Sequence, residues 1–222
     1  MRTISTDSDL VFLSPGEYVD SDHPAIRTAA ARLAPSGATP AQTAGAFYVA
    51  VRDIYYDYVD HGDLEVYRAS SVLAAGRGYC VGKASLYAAL CRARGIPARV
   101  GFADVKNHLA TPRLLERIGT DLFAWHGFTE VLLDGRWVKA SPTFNASLCE
   151  KLGVKPLEFD GVSDAILQPF DAAGRTFMRY VKFHGAFHDV PARFLKDEMA
   201  RLYPRLGGLT GDMQQEAAEA HA

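Results

Sequence analysis

Three cysteines in 222 residues, Cys80, Cys91 and Cys149, are too few and too odd in number for a disulfide scaffold. No two of them stand in a Cys-x-x-Cys spacing, so a structural zinc site has no basis. If Cys80 and Cys91 share a helix they lie about 16 Å apart along it and cannot bridge each other. Neither sign of charge prevails: 24 lysines and arginines against 26 aspartates and glutamates leave a formal net charge of −2. That balance gives no footprint for nucleic acid or for an anionic membrane surface. No run of about 18 apolar residues occurs, so no membrane span is expected. The opening MRTISTDSDLVFLSPGEYVD holds one basic residue and a very short apolar run, unlike a secretory leader, and the expected location is cytoplasmic. Internal repeats and low-complexity segments are absent as well.

What is present suits one buried core. The composition is 48% hydrophobic, and 222 residues can bury a sizeable interior. A single domain over residues 1–205 is expected, with residues 206–222, which have little to bury, as a flexible tail. Pro24 opens an alanine-rich helix over residues 24–34. Thr39 is a good N-cap and Pro40 a good first residue for a second helix, whose apolar spacing Ala44, Phe47, Val51, Ile54, Tyr58 predicts that it runs to residue 58. A short helical piece falls at residues 72–76. A third main helix opens near Cys80 and stops at Gly95, with Arg92 and Arg94 in its last turn and Pro97 beyond. Residues 96–105 then read as a strand and 112–119 as a short helix. Two strands flank a two-residue Asp134-Gly135 hairpin turn. Residues 145–175 are loop-rich, 177–187 a strand and 191–203 an amphipathic helix. Helices first and strands later make an α+β fold.

Two residues carry the chemistry. A thiol at a helix start meets unpaired backbone N–H groups and the positive end of the dipole, which lowers the pKa of Cys80. Ala84, Tyr87 and Cys91 follow on the same side, a small and apolar face suited to a sheet, and Cys91 reads as core. In the hairpin, Leu133 opposite Arg136 sets Phe128 opposite Ser141 and His126 opposite Thr143, so these side chains share one face. Asn145 joins them if the strand runs that far. A strand histidine with hydroxyl neighbours can hold one tautomer, as a general base beside a thiol requires. Trp125 alternates to the other face and reads as core; Tyr79 lines the cleft or packs.

The stretches GYCVGKASLYAALCRARGIPARVGFADV and AWHGFTEVLLDGRWVKASPT resemble the transglutaminase-like superfamily core. The pattern is Gly-x-Cys opening a helix, a helix ending in Arg-x-x-Gly-Ile-Pro-Ala-Arg, and a histidine-bearing hairpin with a tryptophan. It spans roughly residues 76–145. The resemblance implies a papain-like α+β core with the cysteine at a helix N-terminus packed on an antiparallel sheet. It implies acyl transfer through a thioester, Cys80 as nucleophile and His126 as base, with no cofactor and no metal. The implied substrate is a peptide, protein or small-molecule amide, with hydrolysis as the default outcome.

The sequence departs from the family at the third member. The family's Asp-Pro-Thr stretch is here Ser141-Pro142-Thr143. Ser141 can orient the imidazole but brings no charge to an imidazolium. Asn145 can do so through its amide, or a loop acid such as Asp160 can reach in. The departure also supports an alternative: a binding or scaffold domain that has lost the chemistry. The Cys80 backbone N–H is the evident oxyanion donor; Gln42 is a distant candidate for a second. His184 and His188 stand four apart, but helical metal spacing is undercut by Gly185 between them. Asp160, Asp164 and Asp171 read as solvated turn carboxylates.

Overall fold

The computed structural model describes residues 7–107, 110, 112–166, 178–206 and 213–220. The chain begins with α1 (Asp7–Leu10) and a 3-10 turn, then α2 (Pro24–Leu33), α3 (Pro40–Arg52) and the short strand β1 (Tyr55–Tyr56). A second 3-10 turn (Leu64–Tyr67), α4 (Ala69–Ala75) and β2 (Arg77–Gly78) lead into α5 (Cys80–Ala93). Then come β3 (Ala98–Asn107), α6 (Pro112–Ile118), β4 (Leu122–Leu133), β5 (Arg136–Ala140), α7 (Ala146–Lys151), β6 (Met178–Phe187), α8 (Ala192–Leu202) and α9 (Met213–Ala220). No helix among the described residues is long and apolar enough to cross a membrane.

Local chemistry sets many of the boundaries. Thr39 and Gln42 form a reciprocal capping box, the Thr39 hydroxyl accepting from the Gln42 N–H and the Gln42 side chain from the Thr39 N–H. The Gln42 side chain is thereby engaged in the cap of α3. At the end of α5, Gly95 takes φ 73° and the Ile96 N–H reaches back to the Cys91 carbonyl, the stop that Gly95 and Pro97 forecast. Asp134 and Gly135 both have positive φ, 48° and 77°, as the tight hairpin turn requires, and Leu133 pairs with Arg136.

The main sheet is antiparallel in the order β5-β4-β3-β6, and β1 and β2 form a separate parallel pair. α5 is enclosed: every residue from Val81 to Arg92 is buried. One side meets β4, where the Thr129 hydroxyl donates to the Ala84 carbonyl. Tyr87 points away from the sheet and donates to the Ala44 carbonyl of α3. The face holding Tyr87 thus meets α3, contrary to the sheet contact expected of it, while Cys91 is core as expected. A second apolar cluster joins one end of the sheet to α6, α7, α8 and α9.

Three expectations are corrected. α3 stops at Arg52 instead of running to residue 58, because Tyr55 and Tyr56 turn to pair with Arg77 and Gly78. Within the expected loop, residues 146–151 form α7. Within the expected tail, residues 213–220 form α9, with Met213, Gln214 and Ala217 buried. Asp171 and residues 207–212 lie outside the described residues.

Lys83 explains the early stop of α3. Its side chain is completely buried, and its ammonium donates to the carbonyls of Arg52 (2.9 Å), Ile54 (2.7 Å) and Thr143 (2.6 Å). Burial pulls its pKa down to about 7. Three acceptors nonetheless select the ammonium, since a neutral amine has only two N–H bonds and would turn its lone pair on a carbonyl. Lys83→Met should leave three buried carbonyls unpaired and cost about 3 kcal/mol or more. Urea denaturation checks this; a loss within about 0.5 kcal/mol would mean that water replaces the ammonium.

Candidate active site

Cys80 is the first residue of α5, and Tyr79 before it is extended and offers no side-chain cap. Two glycines make the close approaches around it. A β-carbon on Gly82 would lie 2.3 Å from the Val66 carbonyl oxygen, and one on Gly127 would lie 2.7 Å from Val81 Cα. Without side chains, the first turn of α5 presses on the 64–67 turn and on β4. The N–H of Gly127 thereby joins those of Val81 and Cys80 around the thiol.

Burial pushes the Cys80 thiol up to about 11, against the pull of these N–H groups and of Lys83. The expectation of a lowered pKa is therefore not met: loss of hydration outweighs the helix terminus. The thiol is half-buried and faces a cavity. The Tyr56 phenol interacts with both its sulfur and its backbone N–H. Tyr56 is held by Phe144, edge to face at 4.9 Å, and by its own N–H, which donates to Asn145 Oδ1 at 3.0 Å.

His126 is aimed by a β-bulge. Ala103 pairs with His126 but Val105 pairs with Phe123, so Ala124 and Trp125 together face Asp104. Trp125 takes φ 57°, which costs a non-glycine residue on the order of 1 kcal/mol or more. Asp104 Oδ1 accepts from the Trp125 N–H (3.1 Å) and pairs with His184 Nε2 (2.7 Å). The His184 ring stacks on Trp125 at 4.0 Å. The bulge breaks the alternation that assigned Trp125 and His126 to opposite faces, and both line the cavity with Cys80. His184 and His188 sit on a strand and just after it, with separate partners: His188 meets the Ser14 carbonyl and gives its own carbonyl to Arg92.

His126 Nε2 lies 3.3 Å from Ser141 Oγ, which lies 3.0 Å from Thr143 Oγ1. All three residues are buried. Burial pulls the imidazole down to about 4. Among the described residues no carboxylate hydrogen-bonds to His126. Asn145 is not brought onto it either. The hairpin ladder ends at Ala140, and the Ser141 N–H turns to the Ala165 carbonyl. Asn145 becomes the N-cap position of α7; its Oδ1 accepts from Tyr56 and Gln214, and its amide donates to Ser147. The Asp160 carboxylate is exposed and accepts from Val162 and Ser163 in its own turn. Asp164 accepts from the Lys139 N–H.

A sequence profile described as the transglutaminase-like superfamily matches residues 27–142, more than half of the chain. The chain belongs to the transglutaminase-like superfamily. No curated protein matches it. A candidate cysteine protease from Cytophaga hutchinsonii is similar in structure, with TM-score 0.49 and 18% identity over 84% of this chain and 57% of that one. A candidate protease from Parabacteroides distasonis ATCC 8503 gives TM-score 0.40 and 14% identity over 60% of this chain and 26% of its own. The chain thus spans less than two thirds of either. In this transglutaminase-like domain the cysteine stands at the helix N-terminus against the antiparallel sheet, as the resemblance implied.

Sequence reasoning missed Tyr56, Gly127 and Lys83. Lys83, the one charge among the small and apolar residues from Cys80 to Cys91, was a readable signal.

His61 and His126 are both drawn by burial from 6.5 to about 4. Between those values the unfolded chain binds more protons than the folded one at these two sites, so their contribution to stability is full above pH 6.5 and falls as the pH drops toward 4. Urea midpoints across that window should fall, and His126→Phe should flatten the fall. An unchanged slope in the variant would mean that the native imidazole is already solvated.

Proposed function

We propose that the chain is a cysteine enzyme that cleaves an amide or related acyl bond through a thioester on Cys80, with water as the usual acceptor. The observation that carries this reading is the meeting of Cys80 and His126 on one cavity, with Ser141 at Nε2 of the imidazole. In the competent tautomer Nε2 donates its N–H to the serine, so the lone pair of Nδ1 is the one that receives the thiol proton.

The resting pair is neutral, a thiol pushed up and an imidazole pulled down. Proton transfer therefore accompanies attack. As Sγ bonds to the carbonyl carbon, Nδ1 takes the thiol proton and the oxygen gains charge near the Cys80 N–H, which it takes over from the Tyr56 phenol. The imidazolium protonates the leaving amine, the C–N bond breaks, and the thioester remains. His126 then takes a proton from water, which attacks the thioester and frees the acid and the thiol. Ser141 is favoured over Asn145 as the orienting group because Asn145 is engaged with Tyr56, Gln214 and Ser147.

A second reading, a binding domain without chemistry, is favoured by the same absence of a carboxylate at His126. Mass spectrometry after treatment with p-nitrophenyl acetate separates the two. An acetyl adduct should form on Cys80, vanish in Cys80→Ala and form roughly 10²-fold more slowly in His126→Ala. No adduct in the wild type, or one indifferent to His126, would move the binding reading ahead. Ser141→Asp should raise the rate by supplying charge to the imidazolium. Asn145→Ala should leave the pH dependence of acylation unchanged, whereas a shifted dependence would return the orienting role to the amide.

A further inference from the structure

Cys80 and His126 open onto a cavity of about 130 Å³. Much of the rest of its wall is apolar and comes from the second core cluster, including Val105 and Met178 from the sheet, Leu114 from α6, Leu148 from α7, Met199 from α8 and Met213 from α9; Asp57, His61, Asn107 and four tyrosines supply polar atoms. A dry cavity of about 150 Å³ lined by Leu, Ile and Phe takes up benzene, so this space suits a ring of that size or a short aliphatic chain.

The polar groups of the wall narrow the occupant further. Among the described residues no lysine or arginine lines it. Among the described residues its one carboxylate is Asp57, which already accepts from the N–H groups of Tyr58 (2.8 Å) and Met213 (3.3 Å) and pairs with Arg77 (3.2 Å). His61, also in the wall, is held neutral by burial, down to about 4. Its Nδ1 is the one buried side-chain polar atom without a hydrogen-bond partner among the described residues. A charged group would find no free counter-charge among the described residues here, and an unpaired buried charge is strongly disfavoured. One uncharged polar atom could meet His61.

We infer that the acyl group offered to Cys80 carries an uncharged apolar moiety, about the size of a benzene ring, which occupies this cavity. The inference rests on Cys80 as the acyl acceptor, but occupancy of the cavity can be measured without that chemistry.

The full-length Cys80→Ala chain, its methionine methyls labelled for NMR, is titrated with phenylacetamide, hexanamide, acetamide and the charged succinamate. Phenylacetamide and hexanamide should shift the Met178, Met199 and Met213 methyl signals and raise the Tm. Acetamide and succinamate at the same concentrations should do neither. Met199→Trp, which fills the cavity, should weaken phenylacetamide at least tenfold; Leu148→Phe is the milder second variant. In the wild type, p-nitrophenyl phenylacetate should acylate Cys80 at least tenfold faster than p-nitrophenyl acetate relative to their rates with a free thiol. Equal response to all four amides overturns the inference, as does a filled cavity that binds as before. Acylation without preference also overturns it and leaves the enzyme reading standing. Selective amide binding with no acylation supports the cavity's ligand class and overturns the enzyme reading instead.

Discussion

One buried ammonium ties the site together. Lys83 lies three residues beyond the nucleophile on α5 and holds the carbonyls of Arg52, Ile54 and Thr143. Those carbonyls belong to the end of α3, the approach to β1 and the segment leaving the hairpin. The first two fix where Tyr56 comes to lie over Cys80; the third fixes Thr143, whose hydroxyl meets Ser141 and through it His126. A hydrophobic contact of similar size could fill the space. It could not set three backbone directions at once, because apolar attraction is not directional and a charged donor with three bonds is.

The chemical character of the site follows from enclosure rather than from the helix terminus. The N–H groups of Cys80, Val81 and Gly127 surround the sulfur, yet aromatic and aliphatic neighbours remove more hydration than those dipoles restore. His126 responds to the same surroundings in the opposite direction. Both groups are kept uncharged, and the charge that a reaction creates would develop in largely apolar surroundings. The cavity and the neutral pair are thus two aspects of one apolar enclosure.

Much of this was legible from the chain alone. Thr39 with Gln42, Gly95 with Pro97 and Asp134 with Gly135 are local signals, and local physics decided them. The hairpin count from Leu133 and Arg136 put His126 and Ser141 on one face, with His126 opposite Thr143; the ladder ends before these residues, and the contact His126 makes is with Ser141. What could not be read depends on distant partners. The bulge at Trp125 needs Asp104 from β3 and His184 from β6. The stop of α3 needs a lysine 31 positions further on. Asn145 was assigned by extending a strand that in fact turns away to meet Ala165, and α7 and α9 are too short for periodicity to reveal them.

α9 has a consequence for how the molecule is made. Its Gln214 side chain grips Asn145, and its Met213 N–H grips Asp57. Asn145 in turn holds the backbone of Tyr56. The cavity before Cys80 is therefore closed by residues that leave the ribosome more than 130 positions after the nucleophile itself. A nascent chain carries its thiol, histidine and serine long before it has the wall that encloses them. Assembly order thus separates possession of the reactive groups from possession of the site.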